Sequence, residues 1–145
     1  WFADRLGGRE TLLSYGVDCD ALASPEAILS AAREAVPAGH LHFLQSLPSH
    51  HRVGDLLFVH AGIRPGVAWE AQDEEDFLWI REPFLSHAAP FPWLVVHGHT
   101  PGDRPTRHAN RINLDGGAGY GRRLVPAVFE GDDVWLLGAS GRVPF

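Results

Sequence analysis

The first third of the chain carries hydrophobic residues at helical spacing, interrupted by residues that begin or end helices. Gly16 follows one apolar stretch at the place of a left-handed cap. Ser24, Pro25 and Glu26 form a helix start, because serine caps free N–H groups, proline fits the first turn and the acidic side chain stabilises that turn. Pro48 ends a third stretch. The helices predicted here are residues 8–15, 25–36 and 38–47.

From residue 56 onward the pattern changes to short, continuous apolar runs. Runs of this length are too short for helices and are typical of strands buried on both faces. The acidic residues 73–76 lead into residues 77–81, where we place one more helix, since negative charge stabilises a helix N-terminus. Gly131-Asp132 is a turn signal between the last two strands. The strands predicted here are residues 56–59, 93–96, 111–115, 123–130 and 134–138.

The order of these elements is helices, then mixed strands and helices, then a run of strands. This order fits an α/β layered domain whose sheet is partly antiparallel at the end. No apolar run approaches the roughly 20 residues that span a bilayer, and no signal-peptide pattern opens the chain. The hydrophobic content of 45% is ordinary for a soluble protein, and a single cysteine, Cys19, fits a reducing compartment. Together these features predict a soluble, cytoplasmic protein without a membrane partner.

The net charge bears on the class of partner, and the residue usage bears on where the natural protein begins. The formal net charge of −6 argues against nucleic acid as a partner, because basic surfaces bind the phosphate backbone. Methionine is absent, and Trp1-Phe2 would be an unusual start for a natural protein. We therefore expect that these are not the first residues of the natural protein.

Two of the predicted strands deliver a histidine to their carboxyl ends. His60 follows strand 56–59 and His97 follows strand 93–96, with His99 two residues later and a glycine near each. Ligands of α/β sheets bind outside such strand ends, and small residues let them approach the backbone. Neutral imidazole is a common metal ligand. The pattern predicts that both strand ends converge on one metal ion.

Most of the nine histidines are expected to be inert. His97 and His99 would share one face if their strand continued that far, so a mononuclear site built on these two is an alternative. The histidines assigned to surface or packing roles, in helices and loops, are His40, His42, His50, His51, His87 and His108.

Beyond the single histidines, five segments resemble motifs of the calcineurin-like metallophosphoesterases and follow the order of that family. The chain is most similar to the bacterial Ser/Thr phosphoprotein phosphatases, over nearly its whole length. The resemblance implies an α/β fold, the C-terminal half of a calcineurin-like layered α/β/β/α sandwich with mixed sheets. The segments are residues 7–12 together with 15–17, then 58–67, 78–81, 96–101 and 112–120.

The resemblance implies metal-dependent phosphoester hydrolysis, most similar to that of protein Ser/Thr phosphatases. Two divalent ions, with Mn as the family-like choice and Fe or Zn as others, would activate water against phosphorus. His60 and His99 would each ligate the second ion, and Arg81 would bind the phosphate oxygens and stabilise their charge. Arg64 and Tyr120 are further substrate-side candidates. The substrate would be a phosphorylated protein or a small phosphoester.

Three early motifs of the family do not occur in the chain. They are the Asp-x-His pair, the Gly-Asp-x-x-Asp-Arg segment and the Gly-Asn-His-Glu segment, which supply the first metal's ligands, the bridging carboxylate and the proposed general acid. Residues 1–145 are therefore expected to be the C-terminal part of a single domain. Such a chain should be inactive alone and bind metal weakly, and the missing N-terminal half or another chain should cover its sheet.

Other readings of the same residues stay open. The site could act on a dinucleoside polyphosphate instead of a phosphoprotein. The chain could also be a non-catalytic fragment that binds a partner through an exposed sheet. Arg81 could pair with Glu82 rather than with phosphate, His97 could be structural, and Asp115 could cap a turn.

Overall fold

The computed structural model describes residues 6–131 and 133–145. The chain forms two compact units, the first ending at Leu47 and the second running from Pro48 to Phe145. The expectation that all 145 residues belong to part of one domain stays a prediction.

The first unit is helical, as its hydrophobic spacing predicts. The Ser24 hydroxyl accepts a hydrogen bond from the Ala27 amide at 3.2 Å, which confirms the predicted N-cap. Leu12, Val17 and Cys19 form a small buried cluster on which the partly buried side of the second helix packs. The helices are α1 (Gly8–Ser14), α2 (Pro25–Ala35) and α3 (Ala38–Ser46).

The second unit is built on a five-stranded mixed sheet with the order β1-β2-β3-β5-β4. The central strands β2, β3 and β5 are parallel, and the edge strands β1 and β4 are antiparallel to their neighbours. The carboxyl ends of the three parallel strands therefore meet at one edge. The strands are β1 (His50–Val53), β2 (Leu56–Val59), β3 (Leu94–His97), β4 (Thr106–Arg107) and β5 (Arg111–Asn113).

Side chains alternate along each strand, so the sheet has two faces. Each face packs against a different part of the chain. On one face, Leu57 and Val95 pack with Phe77 of helix α4 (Glu74–Trp79) and with the buried Phe84 that follows it. On the other face, the core residues come from the sheet and from a second sheet, and they are Val96, Ile112, Val134 and the partly buried Phe58 and Phe129. The second unit is thus layered helix on sheet on sheet.

The second sheet is an antiparallel meander with the order β6-β7-β8. This arrangement confirms the prediction that the last strands pair in antiparallel fashion. The turn predicted at Gly131-Asp132 includes a residue outside the described part of the chain. The strands are β6 (Ala127–Glu130), β7 (Asp133–Gly138) and β8 (Gly141–Pro144).

Several predicted boundaries are wrong by a few residues. The strand predicted over 111–115 ends at Asn113, because the Asn113 side chain accepts the Asp115 amide and turns the chain. The strand predicted over 123–130 begins at Ala127, after a proline that has no N–H to give to the ladder. The helix predicted over 77–81 begins earlier and includes the acidic residues, with Asp73 as its N-cap.

His50 and His51 were predicted to lie in loops, and that prediction is wrong. Both belong to the edge strand β1, which pairs with β2 through the two-residue connection Gly54-Asp55. The His50 ring packs against the Trp69 ring at a centroid distance of 4.7 Å, so its predicted packing role is confirmed. Among the described residues, no helix combines the length and apolarity that crossing a membrane requires.

Candidate functional site

His60 and His99 meet at the carboxyl edge of the five-stranded sheet. His60 directly follows β2, and His99 lies two residues beyond the end of the neighbouring parallel strand β3. The His60 Nε2 atom lies 3.2 Å from the His99 Nδ1 atom, and the ring centroids are 5.0 Å apart. The predicted convergence of the two strand ends is therefore present in the structure.

Backbone hydrogen bonds hold the two histidine segments together. The Gly98 amide donates to the His60 carbonyl at 2.9 Å, which ties one strand end to the other. Asn113 at the end of β5 donates its side-chain amide to the Thr100 carbonyl at 2.8 Å. His99 itself has a φ of 64°, a left-handed conformation that is uncommon for residues other than glycine. This turn directs the His99 ring back toward His60.

The surroundings of His99 favour its neutral form. The half-buried position of the ring lowers the pKa of His99, and the neighbouring Arg81 and His60 lower it further. A neutral imidazole has a lone pair available for a metal ion. The site thus keeps His99 in the form that can act as a ligand.

The geometry of the pair fits two ligands of one divalent ion. Nitrogens that lie 3.2 Å apart can both contact one ion, since metal–imidazole bonds are about 2.0–2.1 Å long. The Nδ1 atom of His99 is the one that faces His60, and the Nε2 atom on the other edge of the ring is buried. No group of three or more His, Cys, Asp or Glu side chains suited to a metal ion occurs among the described residues. The chain therefore offers a pair of ligands to such an ion.

Arg81 lies on the same side of the molecule as the histidine pair. It follows helix α4, its side chain is exposed, and its charge acts on the His99 ring. The Trp79 ring meets the His99 ring edge-on, with centroids 5.7 Å apart. The alternative partner Glu82 instead accepts hydrogen bonds from Ser86. None of the ion pairs among the described residues includes Arg81.

Arg64 is engaged by a carboxylate rather than free for a substrate. Its Nε and Nη2 atoms donate to the two carboxylate oxygens of Asp76 at 2.7 and 2.6 Å. Asp76 is buried, and this two-pronged ion pair ties the chain after β2 to helix α4. Its substrate-binding role stays a prediction, and the structure gives Arg64 a structural partner.

Tyr120 and Asp115 belong to the loop that follows β5. Tyr120 ends a short 3-10 turn and is 77% exposed, and no hydrogen bond or ring contact within the described residues joins it to His60, His99 or Arg81. Asp115 accepts the Gly117 amide through its side chain at 2.9 Å. The predicted turn-capping role of Asp115 is thereby confirmed.

His97 does not share a face with His99. Strand β3 ends at His97, and the left-handed backbone of His99 breaks the alternation on which a His97–His99 chelate depended. The His97 ring is buried against the Phe84 ring instead, with centroids 4.9 Å apart. Burial lowers the pKa of His97 to about 4, the nearby charge of Arg111 adds to this, and a hydrogen bond with the Gly98 carbonyl partly offsets it.

Two residues at the site were not singled out from the sequence. Trp79 contacts His99, and Asn113 fixes the backbone that carries it. Both lie within segments that carried the family resemblance, 78–81 and 112–120, so their positions were marked although their roles were not. A side-chain amide at the carboxyl end of a buried strand was the available signal for Asn113.

Comparison with known proteins adds one informative similarity. No family model and no curated protein matches the chain. Among solved structures, the chain is similar to a crystal structure described as that of a "putative diadenosine tetraphosphatase", with a TM-score of 0.61 and 26% sequence identity. The similarity covers 74% of this chain and 59% of that one, so the chain spans less than two thirds of its structural neighbour.

This similarity bears on both the fold and the chemistry. The predicted fold class, an α/β half of a calcineurin-like sandwich with mixed sheets, is confirmed by the observed layers together with the neighbour. The neighbour also supports the resemblance at the level of a metallophosphoesterase-like hydrolase. It does not support the protein phosphatase type over others.

Proposed function

We propose that the site at His60 and His99 belongs to a metal-dependent phosphoester hydrolase. The observation that carries this proposal is the approach of two imidazole nitrogens to 3.2 Å at the carboxyl edge of a parallel sheet. The exposed guanidinium of Arg81 on the same side adds a group suited to phosphate. The similarity to a structure described as a tetraphosphatase agrees with this combination.

Each residue has a distinct role in the proposed reaction. His60 and His99 would hold a divalent ion, with Mn²⁺ as the expected one and Fe or Zn as the others. Bound ions would supply Lewis acidity and an activated water, with two ions acting in the complete site. Arg81 binds the phosphate oxygens through its planar fork, orients the ester for in-line attack and stabilises the growing negative charge. Two imidazoles are fewer ligands than such an ion takes, so further ligands are needed to complete the site.

The substrate class that we favour is a dinucleoside polyphosphate. Its support is the structural neighbour, whose description names a diadenosine tetraphosphate-cleaving activity. A phosphorylated protein is the second candidate, favoured by the resemblance of residues 58–67, 78–81 and 112–120 to the bacterial Ser/Thr phosphatases. Both substrates present a phosphorus atom to the same groups, so the residue roles are the same for either.

The test uses the natural protein that contains these residues, loaded with Mn²⁺. Diadenosine tetraphosphate and a phosphoserine peptide are compared as substrates by kcat/KM, and inhibition of each by the other shows whether they share a site. His60→Ala should abolish both activities, while His51→Ala on the edge strand should leave them unchanged. Arg81→Lys keeps the charge and loses the fork, so kcat/KM should fall about 100-fold.

The outcomes separate the candidates. Faster cleavage of the tetraphosphate supports the favoured class, and faster release of phosphate from the peptide supports the second. Full activity of the His60→Ala protein would overturn the proposal of a metal-dependent hydrolase at this edge.

A further inference from the structure

One buried phenylalanine lies between the segments that carry the candidate site residues. Phe84 is fully buried, and its ring lies directly on Gly62, where an added Cβ would be 2.4 Å from the ring. The same ring meets the His97 ring edge-on at 4.9 Å. Gly62 lies two residues after His60, and His97 lies two residues before His99. A single ring therefore contacts both segments that deliver the candidate ligands.

The same phenylalanine is tied to Arg81 through the backbone. The Leu85 amide donates to the Arg81 carbonyl at 2.9 Å, which closes one turn around Phe84. The backbone that carries the Phe84 ring therefore belongs to the same hydrogen-bonded turn as Arg81.

Two buried side chains, Asn110 just before β5 and Arg111 at its first position, bind the backbone that follows Phe84. Arg111 Nη2 donates to the Leu85 carbonyl at 2.7 Å. Asn110 Nδ2 donates to the His87 and Ala89 carbonyls, both at 2.8 Å. The carbonyls of Leu85, His87 and Ala89 are thus all bound by the side chains of Asn110 and Arg111. These bonds restrict the backbone motion of the segment.

Arg111 is a buried cation that packs beside this turn. Its side chain is buried, and within the described part of the chain it forms no ion pair and its Nε atom has no hydrogen-bond partner. Its guanidinium lies 5.9 Å from the Phe84 ring centre instead. Burial lowers the pKa of the Arg111 guanidinium, and the Glu82 carboxylate, which lies next to Arg81 in the chain, partly offsets this effect.

From these contacts we propose that Phe84 is a positioning residue for the site. Its ring sets the distance between the Arg81 segment and the His60–His99 pair, because both histidine segments pack on the ring and Arg81 belongs to the same backbone turn as Phe84. A closely packed core transmits a displacement instead of absorbing it, so a change at the ring reaches all three. The catalytic meaning of this positioning rests on the proposed function.

The first test compares Phe84→Leu with the matched control Phe91→Leu. Phe91 stacks on Phe84 at 5.6 Å and touches His87, but among the described contacts it touches neither histidine segment. Phe84→Leu should speed hydrogen exchange of the Gly98 amide, which bonds the His60 carbonyl, by about tenfold more than its effect on global stability explains. It should lower kcat about 10–100-fold with little change in KM.

The second test is a double-mutant cycle on the contact itself. Gly62→Ala places a methyl group against the ring and should slow hydrolysis and speed Gly98 exchange. Phe84→Leu combined with Gly62→Ala should be less impaired than the sum of the two, because the smaller side chain makes room for the methyl.

The exchange measurement needs no hydrolysis, which keeps the two proposals apart. Equal Gly98 exchange and equal kcat in Phe84→Leu and Phe91→Leu would overturn the positioning role, as would strict additivity in the cycle. Unchanged activity in His60→Ala, in contrast, would count against the proposed function alone.

Discussion

Single residues decide how the site is built, and His97 shows this most clearly. The sequence placed it beside a candidate ligand, and the structure places it in the core against Phe84. Its Nδ1 atom bonds the Gly98 carbonyl, and its Nε2 atom is buried without a partner within the described chain. A histidine in this position must stay neutral, so it makes folding depend on pH.

We expect the metal-free chain to lose stability as the pH falls from about 6.5 to 4. In the folded state burial lowers the His97 pKa from 6.5 to about 4, so only the unfolded chain takes up this proton in that window. Above pH 6.5 both states are neutral and the penalty is absent. The loss attributable to His97 is at most about 3 kcal/mol.

Urea unfolding of the wild type and of His97→Asn at several pH values measures this effect. Asparagine keeps a donor for the Gly98 carbonyl and cannot be protonated, so the variant should show a shallower pH dependence below 6.5. An unchanged slope in the variant would contradict the prediction.

The sequence predicted the roles of some site residues and not of others. The convergence of His60 and His99 was predicted, because buried parallel strands place their carboxyl ends at one edge. The role of Phe84 was not, because it depends on the approach of Gly62, more than twenty residues away along the chain. Hydrophobic pattern shows that such a residue is buried, but it does not show what the residue touches.

At the scale of elements, the segment between α4 and β3 is held in place by hydrogen bonds from side chains to its backbone. The segment between α4 and β3 has no regular structure over residues 80–93, and yet Phe84 and Ile80 within it are buried. Its carbonyls need partners once they are removed from water. Asn110 and Arg111 at the start of β5 provide them.

Asn110→Ala should therefore destabilise this segment. It leaves the His87 and Ala89 carbonyls without their donor, at an expected cost of about 2–4 kcal/mol. Chemical denaturation measures the loss, and hydrogen exchange at the Leu85 amide locates it. Asn110→Asp is the matched variant: it keeps the size, replaces the donor by a carboxylate oxygen and should be at least as damaging. A small effect of both would show that water satisfies these carbonyls.

The elements with a strong apolar pattern were predicted, and those without one were missed. Strand β1 reads His-His-Arg-Val, so nothing in its hydrophobicity marks a strand, although Gly54-Asp55 before Leu56 is a hairpin signal. Strand β8 contains a proline and lies at a sheet edge, where proline is tolerated. Such edge strands depend on the partner strand and not on their own sequence.

At the scale of the whole molecule, exposed apolar surface is the feature with the most direct consequence. Helix α3 and its C-cap residue leave large hydrophobic side chains 43–60% exposed: Leu41, Phe43 and Leu44 in the helix, and Leu47 at the cap. An apolar patch of this kind favours association.

We predict that the chain self-associates as its concentration rises, and that Phe43→Glu reduces this association. Gln45→Glu on the same helix adds the same charge without removing an apolar side chain, so it is the matched control. Sedimentation velocity over a range of concentrations measures both. Equal behaviour of the two variants would show that net charge, and not this patch, governs association.

The left-handed backbone of His99 has a consequence for how this position can be altered. Alanine there would combine the loss of a ligand with the strain of a Cβ at positive φ, whereas glycine adopts this conformation freely. His99→Gly should therefore keep the turn and leave an opening of imidazole size beside His60. Chemical rescue then becomes a direct experiment: added imidazole should restore hydrolysis to the glycine variant more fully than to the alanine variant.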